Sequence, residues 1–471
     1  MVFYGILAAG GVFNGASTAF TIGELVRQIR DSKTQLLVCS REYVQLAQRA
    51  AEQCEIFLDR VLVMDASMPK KWHLLDLQGH LVLDVRHGSM LDWKRITSLP
   101  ELHSTTACLL YSSGTTGLPK GVGLSYWNLV ASNICSMEVS SSFLAAKGKA
   151  NQQFQYRTLA HLPMAHIAGV MLYSINVFYM GGTSYWMPKY DFEEFVQFAR
   201  ERKVTVQFSV PPIWLQVSKS REVEEGGHFR SLEVAIAGAA PMGAELARDV
   251  SEKLGDRKTL FMTQTWGTTE TAGSITAHDW DAKDETGSVG GILPNVELRV
   301  VDDDGVDVQP GEVGELWVKG PQVMQGYYEN EAATNESLRD GWYTTGDVGR
   351  VKNGLVHIVD RKKELIKYKG LQVAPAELED CLVSHAKIID AAIVGVFSKR
   401  LQTEVPKAFV VRADEMLTER EVVDFVKSNL AAHKQLRGGV EFVESIPKSP
   451  SGKILRKQLR EKVRSDLKSR L

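Results

Sequence analysis

Short apolar runs rich in β-branched residues alternate with amphipathic stretches along most of this chain, and the alternation limits the folds open to it. Residues 35–39 have the pattern of a strand and residues 41–54 that of a helix. The runs 204–210 and 232–237 are typical of buried strands, and residues 244–254 of a helix. Since strands that alternate with helices build sheets covered by helices, the sequence predicts an α/β fold.

The pattern changes in the second half of the chain, where short strands follow one another closely. These strands are predicted at 296–301, 314–318 and 355–359, with the turn dipeptides Asp304-Gly305, Pro310-Gly311 and Asn353-Gly354. They indicate a small antiparallel, β-rich subdomain. Charge density rises after Asp360. We therefore expect a large N-terminal domain, 1–359, of α/β subdomains plus this β-rich subdomain, followed by an α+β C-terminal domain, 360–471.

Charge and cysteine usage exclude several classes of protein. The 471 residues include 55 Lys and Arg against 57 Asp and Glu, a net charge of −2. No overall basic field therefore exists to hold nucleic acid or an anionic membrane. The cysteines are scattered without metal-ligand spacing and are typical of reduced thiols in an intracellular protein. The apolar run 2–13 lacks a basic leader and is too short to span a bilayer, so no transmembrane segment is predicted.

Segment 111–122, with the sequence YSSGTTGLPKGV, has the composition of a phosphate-binding loop. Its candidate ligands are Ser112, Ser113, Gly114, Thr115, Thr116, Gly117 and Lys120. Glycines let the backbone approach a ligand, hydroxyl groups and amides bind phosphate oxygens, and lysine supplies the opposite charge. It is not a Walker loop, because Pro119, Lys120 and Gly121 stand where that motif requires Gly-Lys-Ser/Thr. A strand-like run, 108–111, leads into the loop, which favours phosphate binding over a flexible linker.

Six further motifs follow this loop in order. They are LPMAHIAG (162–169), AGAAPMG (237–243), QTWGTTET (264–271), GWYTTGDVG (341–349), VDRKKELIKYKGLQVAPAELE (359–379) and PKSPSGKILRKQL (447–459). Together they resemble the adenylate-forming (AMP-binding) superfamily, and the chain is similar to acyl-CoA synthetases of the 4-coumarate:CoA ligase-like group. The resemblance covers essentially the whole chain. It implies that ATP activates a carboxylic acid as an acyl-adenylate, that the acyl group then passes to CoA, and that Mg²⁺ takes part.

The resemblance also assigns a nucleotide site. It implies that Thr269 binds phosphate, that Glu270 holds Mg²⁺, and that Asp347 accepts hydrogen bonds from both ribose hydroxyls. It further implies that Arg361 is a second ribose and phosphate contact. Trp266 stands where the family usually has Tyr, and its aromatic face could stack on adenine, with core packing as the alternative. Besides the loop residues above, the other candidates for ATP or AMP binding are Ala239, Gln264 and Thr265.

Two further groups of residues take their roles from the resemblance. Lys453 would bridge the substrate carboxylate and the α-phosphate, and His166 would orient the carboxylate beside the acyl pocket. For the second half-reaction the family pattern implies a catalytic Lys367 and a set of CoA contacts, namely Lys189, Lys369, Gly370 and Gln372. In the family the C-terminal domain is mobile and rotates between the two half-reactions. The hinge would lie at Asp360 and Lys363.

Several positions depart from the family pattern and leave the substrate open. Thr265 replaces a usual glycine of the pocket wall, and Ala165 and Ala168 replace commonly aromatic neighbours of His166. Aryl, medium-chain and specialised-metabolite acids all remain candidates. Three alternatives also remain: a truncated or inactive protein that keeps the adenylation fold, an enzyme whose acceptor is a carrier-protein thiol, and a luciferase-like oxygenase.

The two ends of the chain carry separate expectations. Ser469-Arg470-Leu471 is a close variant of the Ser-Lys-Leu address that the peroxisomal import receptor reads, so a peroxisomal location is expected, or otherwise a cytoplasmic one. At the other end, residues 3–11 resemble a segment that several dozen residues normally precede in the family. We therefore expect the usual N-terminal segment to be missing.

Overall fold

The computed structural model describes residues 2–68, 71–83, 92–112, 119–150, 153–254, 260–369, 371–449 and 452–469. Up to residue 150 the elements are α1 (Val2–Ala8), β1 (Phe13–Asn14), α2 (Ile22–Asp31), β2 (Leu37–Ser40), α3 (Val44–Gln53), β3 (Val61–Met68), β4 (Lys71–Leu75), β5 (Leu81–Leu83), α4 (Leu99–Ser104), β6 (Thr106–Ser112), β7 (Lys120–Ser125), α5 (Tyr126–Glu138) and α6 (Ser141–Lys149). Helix α2 begins with a capping box: the Thr21 side chain accepts a hydrogen bond from the Glu24 backbone N–H, and the Glu24 side chain accepts one from the Thr21 backbone N–H. Its buried face packs against α3 and against Leu37 of β2, the first strand of the sheet β2-β3-β4-β5.

The middle of the chain forms parallel strands with helices between them. Its elements are β8 (Arg157–Ala160), α7 (Ile167–Val170), α8 (Val177–Tyr179), β9 (Thr183–Trp186), α9 (Phe192–Glu201), β10 (Val206–Ser209), α10 (Pro211–Lys219), α11 (Arg221–Gly226), β11 (Val234–Ala237), α12 (Ala244–Leu254) and β12 (Phe261–Gln264). A π-helical segment, Met171–Asn176, joins α7 to α8. Strands β10, β11 and β12 are parallel, with Ser209 beside Ala237 and Ala237 beside Gln264. The α/β prediction is confirmed.

A β-rich part follows, as predicted. Its elements are β13 (Trp266–Thr268), β14 (Gly273–Ala277), β15 (Gly291–Ile292), β16 (Glu297–Val301), β17 (Gly314–Lys319), β18 (Gly326–Tyr327), α13 (Glu331–Ser337), β19 (Leu338–Arg339), β20 (Trp342–Lys352) and β21 (Leu355–Arg361). Strands β16, β17, β20, β19 and β21 form one antiparallel sheet. Asn353 (φ 53°) and Gly354 (φ 77°) turn β20 into β21, and a two-residue hairpin of this kind requires positive φ at both positions.

The C-terminal part has a sheet and a core of its own. Its elements are β22 (Ile366–Tyr368), β23 (Leu371–Val373), α14 (Pro375–Val383), β24 (Ile388–Ser398), β25 (Thr403–Arg412), α15 (Glu419–Asn429), β26 (Val440–Phe442) and α16 (Arg456–Ser469). Helix α14 packs on β24, and Leu378, Leu382 and Ile393 are buried in their shared core. The predicted boundary at Asp360 falls inside β21, where that carboxylate accepts from the backbone amides of Arg361 and Ala376. The division into 1–359 and 360–471 stays a prediction.

Helices α5 and α6 are the apolar helices that bear on a membrane assignment. Among the described residues no single helix is long and apolar enough to cross a bilayer, and these two reach that length and hydropathy only as a pair bent by 49°. Most of α5 is buried against the rest of the protein.

Candidate active site

The candidate nucleotide residues gather at strand ends. Gln264 ends β12, and Ala239 lies just beyond β11 with a left-handed backbone (φ 69°). The carboxyl ends of parallel strands form the usual binding edge of an α/β sheet. On the neighbouring sheet Ser112 pairs with Lys120, where β6 ends and β7 begins. Two buried atoms here, Ser112 Oγ and Gln264 Nε2, have no hydrogen-bond partner among the described residues. Unpaired buried polar atoms indicate a site that a polar ligand completes.

The predicted phosphate loop itself is mostly outside the structure's range. Ser113, Gly114, Thr115, Thr116 and Gly117 lie outside the described residues, so their roles stay predictions. Lys120, on the C-terminal side of the loop, is among the described residues. Its ammonium group lies 4.9 Å from the ring centre of Tyr327. This cation–π contact holds the lysine beside the neighbouring acidic group.

Glu270 is that acidic group. It lies in a short 3₁₀ turn, Thr269–Thr271, and is 7% exposed. The Tyr327 hydroxyl donates to Glu270 Oε1 over 3.0 Å, and burial beside this carboxylate raises the pKa of Tyr327 well above its usual value. The described residues contain no cluster of three or more His, Cys, Asp or Glu side chains able to hold a metal. Mg²⁺ usually takes only one or two protein carboxylates and fills its shell with phosphate oxygens and water, so Glu270 fits a nucleotide-bound Mg²⁺.

Asp347 and Arg361 form the charged centre of the site. They are opposite each other on β20 and β21. Arg361 Nε donates to Asp347 Oδ1 over 2.6 Å, and the Trp266 indole N–H donates to Oδ2 over 2.8 Å. Asp347 is 3% exposed, and its charge raises the pKa of Arg361. Each oxygen of this carboxylate therefore already has a donor that a ribose hydroxyl would have to share or displace.

Trp266 packs into the protein in this structure. The indole is 7% exposed and lies in a hydrophobic cluster with Ile275, Leu316 and Val318. The ring thus packs in the core, which was the alternative to adenine stacking in the sequence analysis. Its N–H orients the Asp347 carboxylate. Stacking on adenine stays a prediction.

Lys453 reaches the site on a tight turn. The Ser449 amide donates to the Lys453 carbonyl, and the Lys453 amide donates to Ser449 Oγ. Gly452 has φ 78°, and a Cβ there would lie 2.8 Å from Val210 Cγ2, so glycine lets the turn approach the end of β10. The turn is anchored by the Arg456 guanidinium, which donates to both Glu379 oxygens over 2.7 and 2.6 Å. The C-terminal part therefore presents Lys453 to the N-terminal part.

The electrostatic surroundings of Lys453 are mixed. Burial lowers its pKa to about 8; Arg361 and Lys363 act in the same direction, whereas Asp347 and Glu270 oppose them. Two cationic and two anionic residues from three segments thus surround one lysine. A lysine held here can gain or lose its proton near neutral pH, and a bound anion would favour the protonated form.

His166 begins helix α7. Its Nδ1 accepts from the Ala168 amide over 3.2 Å, which places the proton of a neutral imidazole on Nε2. Burial, assisted by the charge of Lys453, lowers the pKa of His166 to about 3. The ring is therefore neutral at physiological pH and offers an N–H donor rather than a charge.

A pocket of about 500 Å³ of empty space, its open mouth included, lies beside His166. Among the sequence candidates, His166, Ala239 and Thr265 line it, as does Ala168. Thr265 Oγ1 donates to the Thr276 carbonyl, so the residue that replaces glycine is held against the wall. The sequence analysis missed other lining residues, namely Ser132, Ser136, Met171, Leu172, Asn176, Phe208 and Ser274. Ser132 and Ser136 stand four apart on an apolar helix, a spacing that could have revealed them.

The candidates for CoA binding are not brought to this site. Lys367, Lys369 and Gln372 are exposed on the β22–β23 hairpin, and Lys189 is exposed on a loop after β9. Gly370 lies outside the described residues. The structure therefore assembles the Lys453 site and leaves the roles of these five residues as predictions.

Comparison with protein families gives two matches along the chain. Residues 1–328 match the family described as AMP-binding enzyme. Residues 377–453 match the family described as AMP-binding enzyme C-terminal domain. The two matches follow the order of the two parts described above.

Individual proteins resemble the chain over almost its full length. A putative acyl-coenzyme A synthetase of Emericella nidulans is 44% identical, over 98% of this chain and 82% of that protein. A probable 4-coumarate–CoA ligase of Dictyostelium discoideum is 35% identical, over 98% of this chain and 83% of that protein. The crystal structure of ATP-bound MatB from Rhodopseudomonas palustris superposes with a TM-score of 0.80 and 27% identity, and covers 98% of this chain and 85% of that one.

Proposed function

The chain belongs to the family of AMP-binding enzymes, and from this premise we propose that one pocket serves both steps of an acid–CoA ligation, with Lys453 closing it for the first step only. The enzyme is an AMP-forming acid–CoA ligase: it activates a carboxylic acid with ATP and transfers the acyl group to CoA. The observation that carries the assignment of residues is that Lys453 lies with Glu270, Asp347 and Arg361 near His166 and the pocket it lines. CoA ligases among the relatives favour CoA as the acceptor over a carrier protein or oxygen.

Adenylation brings two anions together. A carboxylate oxygen attacks the α-phosphorus of ATP, the bond to the bridging oxygen of the β-phosphate breaks, and pyrophosphate leaves with that electron pair. Lys453 offsets the charge of both reactants, while Arg361 and Asp347 hold the ribose and phosphate. Preorganised charges of this kind usually lower the activation barrier more than any other single effect in catalysis. The neutral His166 donates its Nε2–H to the carboxylate and so orients it. Because the ring carries no charge, it does not repel the Lys453 ammonium group.

Mg²⁺ would be held by Glu270 beside Lys120. When bound, the ion neutralises phosphate charge and orients the leaving pyrophosphate. The protein supplies a single carboxylate for it, so the metal would arrive and leave with the nucleotide.

Thioester formation uses different residues. The CoA sulfur attacks the acyl carbonyl carbon, the bond to the AMP oxygen breaks, AMP leaves, and the thiol proton passes to solvent. Lys367, Lys369, Gly370 and Gln372 would then replace Lys453 at the pocket after a rotation at Asp360 and Lys363, with Lys189 as a further CoA contact. Support for a second arrangement comes from the exposure of this hairpin while Lys453 occupies the site.

The pH dependence of adenylation follows from Lys453. Its pKa of about 8 means that the ammonium charge is present below pH 8 and is lost as the pH rises through that value. We expect kcat/KM for pyrophosphate release to fall tenfold per pH unit above about 8. In the ATP complex the phosphate charge raises this pKa, so the kcat profile should fall at higher pH. A profile flat to pH 10 in both parameters would contradict the assignment.

The function is tested by incubating the purified protein with ATP, Mg²⁺, CoA and a panel of aryl and alkyl carboxylic acids. We expect pyrophosphate release that depends on the acid, and an acyl-CoA that mass spectrometry identifies. Absence of pyrophosphate with every acid would exclude ligase activity. Pyrophosphate without acyl-CoA would point instead to a different acceptor.

The location of the enzyme is also proposed from its C-terminus. Ser469-Arg470-Leu471 is a close variant of the Ser-Lys-Leu address that the peroxisomal import receptor reads, and we propose a peroxisomal location on this ground; Arg470 and Leu471 lie outside the described residues.

A further inference from the structure

The pocket beside His166 contains an unused hydrogen-bond acceptor at Asn176. This side chain is 3% exposed and lines the pocket. Its Oδ1 has no hydrogen-bond partner, and among the described residues that line the pocket it is the only one with such an unpaired buried side-chain atom. A buried acceptor that is left unpaired has lost its hydrogen bonds to water without replacement, so a ligand able to pair with it gains by binding.

Asn176 lies far along the pocket from the reacting end. His166 begins the helix, and Asn176 is ten residues later, which in an α-helix corresponds to roughly 15 Å along the axis. Asn176 is the last residue of the π-helical segment Met171–Asn176, and such segments are frequent at functional sites. The tail of a bound acid, rather than its carboxylate, would therefore meet Asn176.

Two of the other polar side chains of the wall are already engaged. Ser132 Oγ donates to the Ala272 carbonyl over 2.8 Å, and Thr265 Oγ1 donates to the Thr276 carbonyl over 2.6 Å. Between His166 and Asn176 the same helix contributes the apolar side chains of Ala168, Met171 and Leu172. The pocket thus has a reactive end at His166, apolar side chains along this helix and an unpaired buried acceptor at Asn176.

The absence of charged side chains among the described lining residues disfavours a ligand with a charged tail. No Asp, Glu, Lys or Arg is among the described residues that line the pocket, so a charged tail would be buried without a partner. A hydroxyl group is neutral, and it can donate to the amide oxygen or accept from the amide nitrogen, so it satisfies either orientation of the asparagine.

We propose that Asn176 recognises a hydroxyl group on the tail of the carboxylic acid, and that the enzyme prefers such hydroxy acids to the same acids without the hydroxyl. The inference rests on the proposed ligase function and names the substrate class of that site. A site that hydrogen-bonds a substrate hydroxyl rejects the analogue lacking it, because its own polar group is then left unpaired.

The test compares matched acids. One pair is a 4-hydroxyphenyl alkanoic acid and its phenyl analogue, and the other is an ω-hydroxy alkanoic acid and its unsubstituted analogue. We expect kcat/KM for pyrophosphate release to be at least tenfold higher for the hydroxylated member of at least one pair. Asn176→Leu, close to Asn in size, should lower activity on that acid at least tenfold and leave or raise activity on its analogue.

Asn133→Leu is the matched control. Asn133 is also buried at 5% exposure with an unpaired Oδ1, but it does not line the pocket. Its replacement should leave the preference ratio unchanged. If Asn176→Leu lowers both acids equally, or if the wild-type enzyme shows no preference in either pair, the inference is overturned while the ligase function stands. The wild-type comparison keeps this test available even if the variant does not fold. Failure to activate any acid would instead overturn the ligase function.

Discussion

Replacing Lys453 with alanine is expected to lower pyrophosphate release by about 10²–10³-fold, the usual cost of one preorganised charge or donor. The lysine is the group on the Ser449–Lys453 turn that lies with Glu270, Asp347 and Arg361. Its loss leaves the two reacting anions without that cation. CoA transfer from a supplied acyl-adenylate should be nearly unchanged, because AMP and the acyl group are already joined. Single-turnover measurements of each half-reaction check both expectations.

Lys457→Ala is the control for this experiment. Lys457 is an exposed residue of helix α16, four positions after Lys453, and its replacement removes the same charge from the same tail. We expect both half-reactions of this variant to match the wild type. Equal losses in the two half-reactions of Lys453→Ala would contradict the assignment of separate residues to the two steps.

Replacing Asp347 with alanine should weaken ATP binding by about 10–100-fold and also destabilise the fold. The carboxylate accepts from Arg361 and from the Trp266 indole, and its loss leaves a buried N–H unpaired and a guanidinium without its partner. Breaking a buried ion pair costs about 3–5 kcal/mol, but Arg361 is 34% exposed, so we expect about 2 kcal/mol. Calorimetric titration with ATP and urea denaturation measure the two effects.

Asp303→Ala is the matched control for a lost carboxylate. Asp303 pairs with Lys362 over 2.8 Å, but its side chain is 82% exposed. Exposed pairs contribute about 1 kcal/mol or less, so this variant should keep its ATP affinity and nearly all its stability. Asp347→Ala with unchanged ATP affinity would show that the carboxylate only orients Trp266 and Arg361.

Trp266 illustrates the limit of reading roles from sequence. The motif around it predicted the neighbourhood of Asp347 and Glu270, and the structure brings these residues together. Whether an aromatic ring faces a ligand or the core depends on what packs against it, and here Ile275, Leu316 and Val318 do so. Those partners lie up to about fifty residues away, beyond any local pattern.

Asn176 shows the same limit more sharply. The sequence shows a polar residue in an apolar helix after His166, but it does not show whether the amide of that residue has a partner. It became a candidate only because its oxygen is buried at a cavity without a partner, and hydrogen-bond satisfaction is a property of all the surrounding segments together.

The amino-acid sequence was sufficient for the α/β class, the β-rich part, the family and the order of its motifs, because periodicity, turn residues and motif spacing are local properties. Tertiary packing was needed for the rest: the lowered pKa of Lys453, the neutral state of His166, the packing of Trp266 and the unpaired oxygen of Asn176. The physical reason is that burial and charge pairing depend on contacts between residues far apart in the chain, and these exist only once the chain has folded.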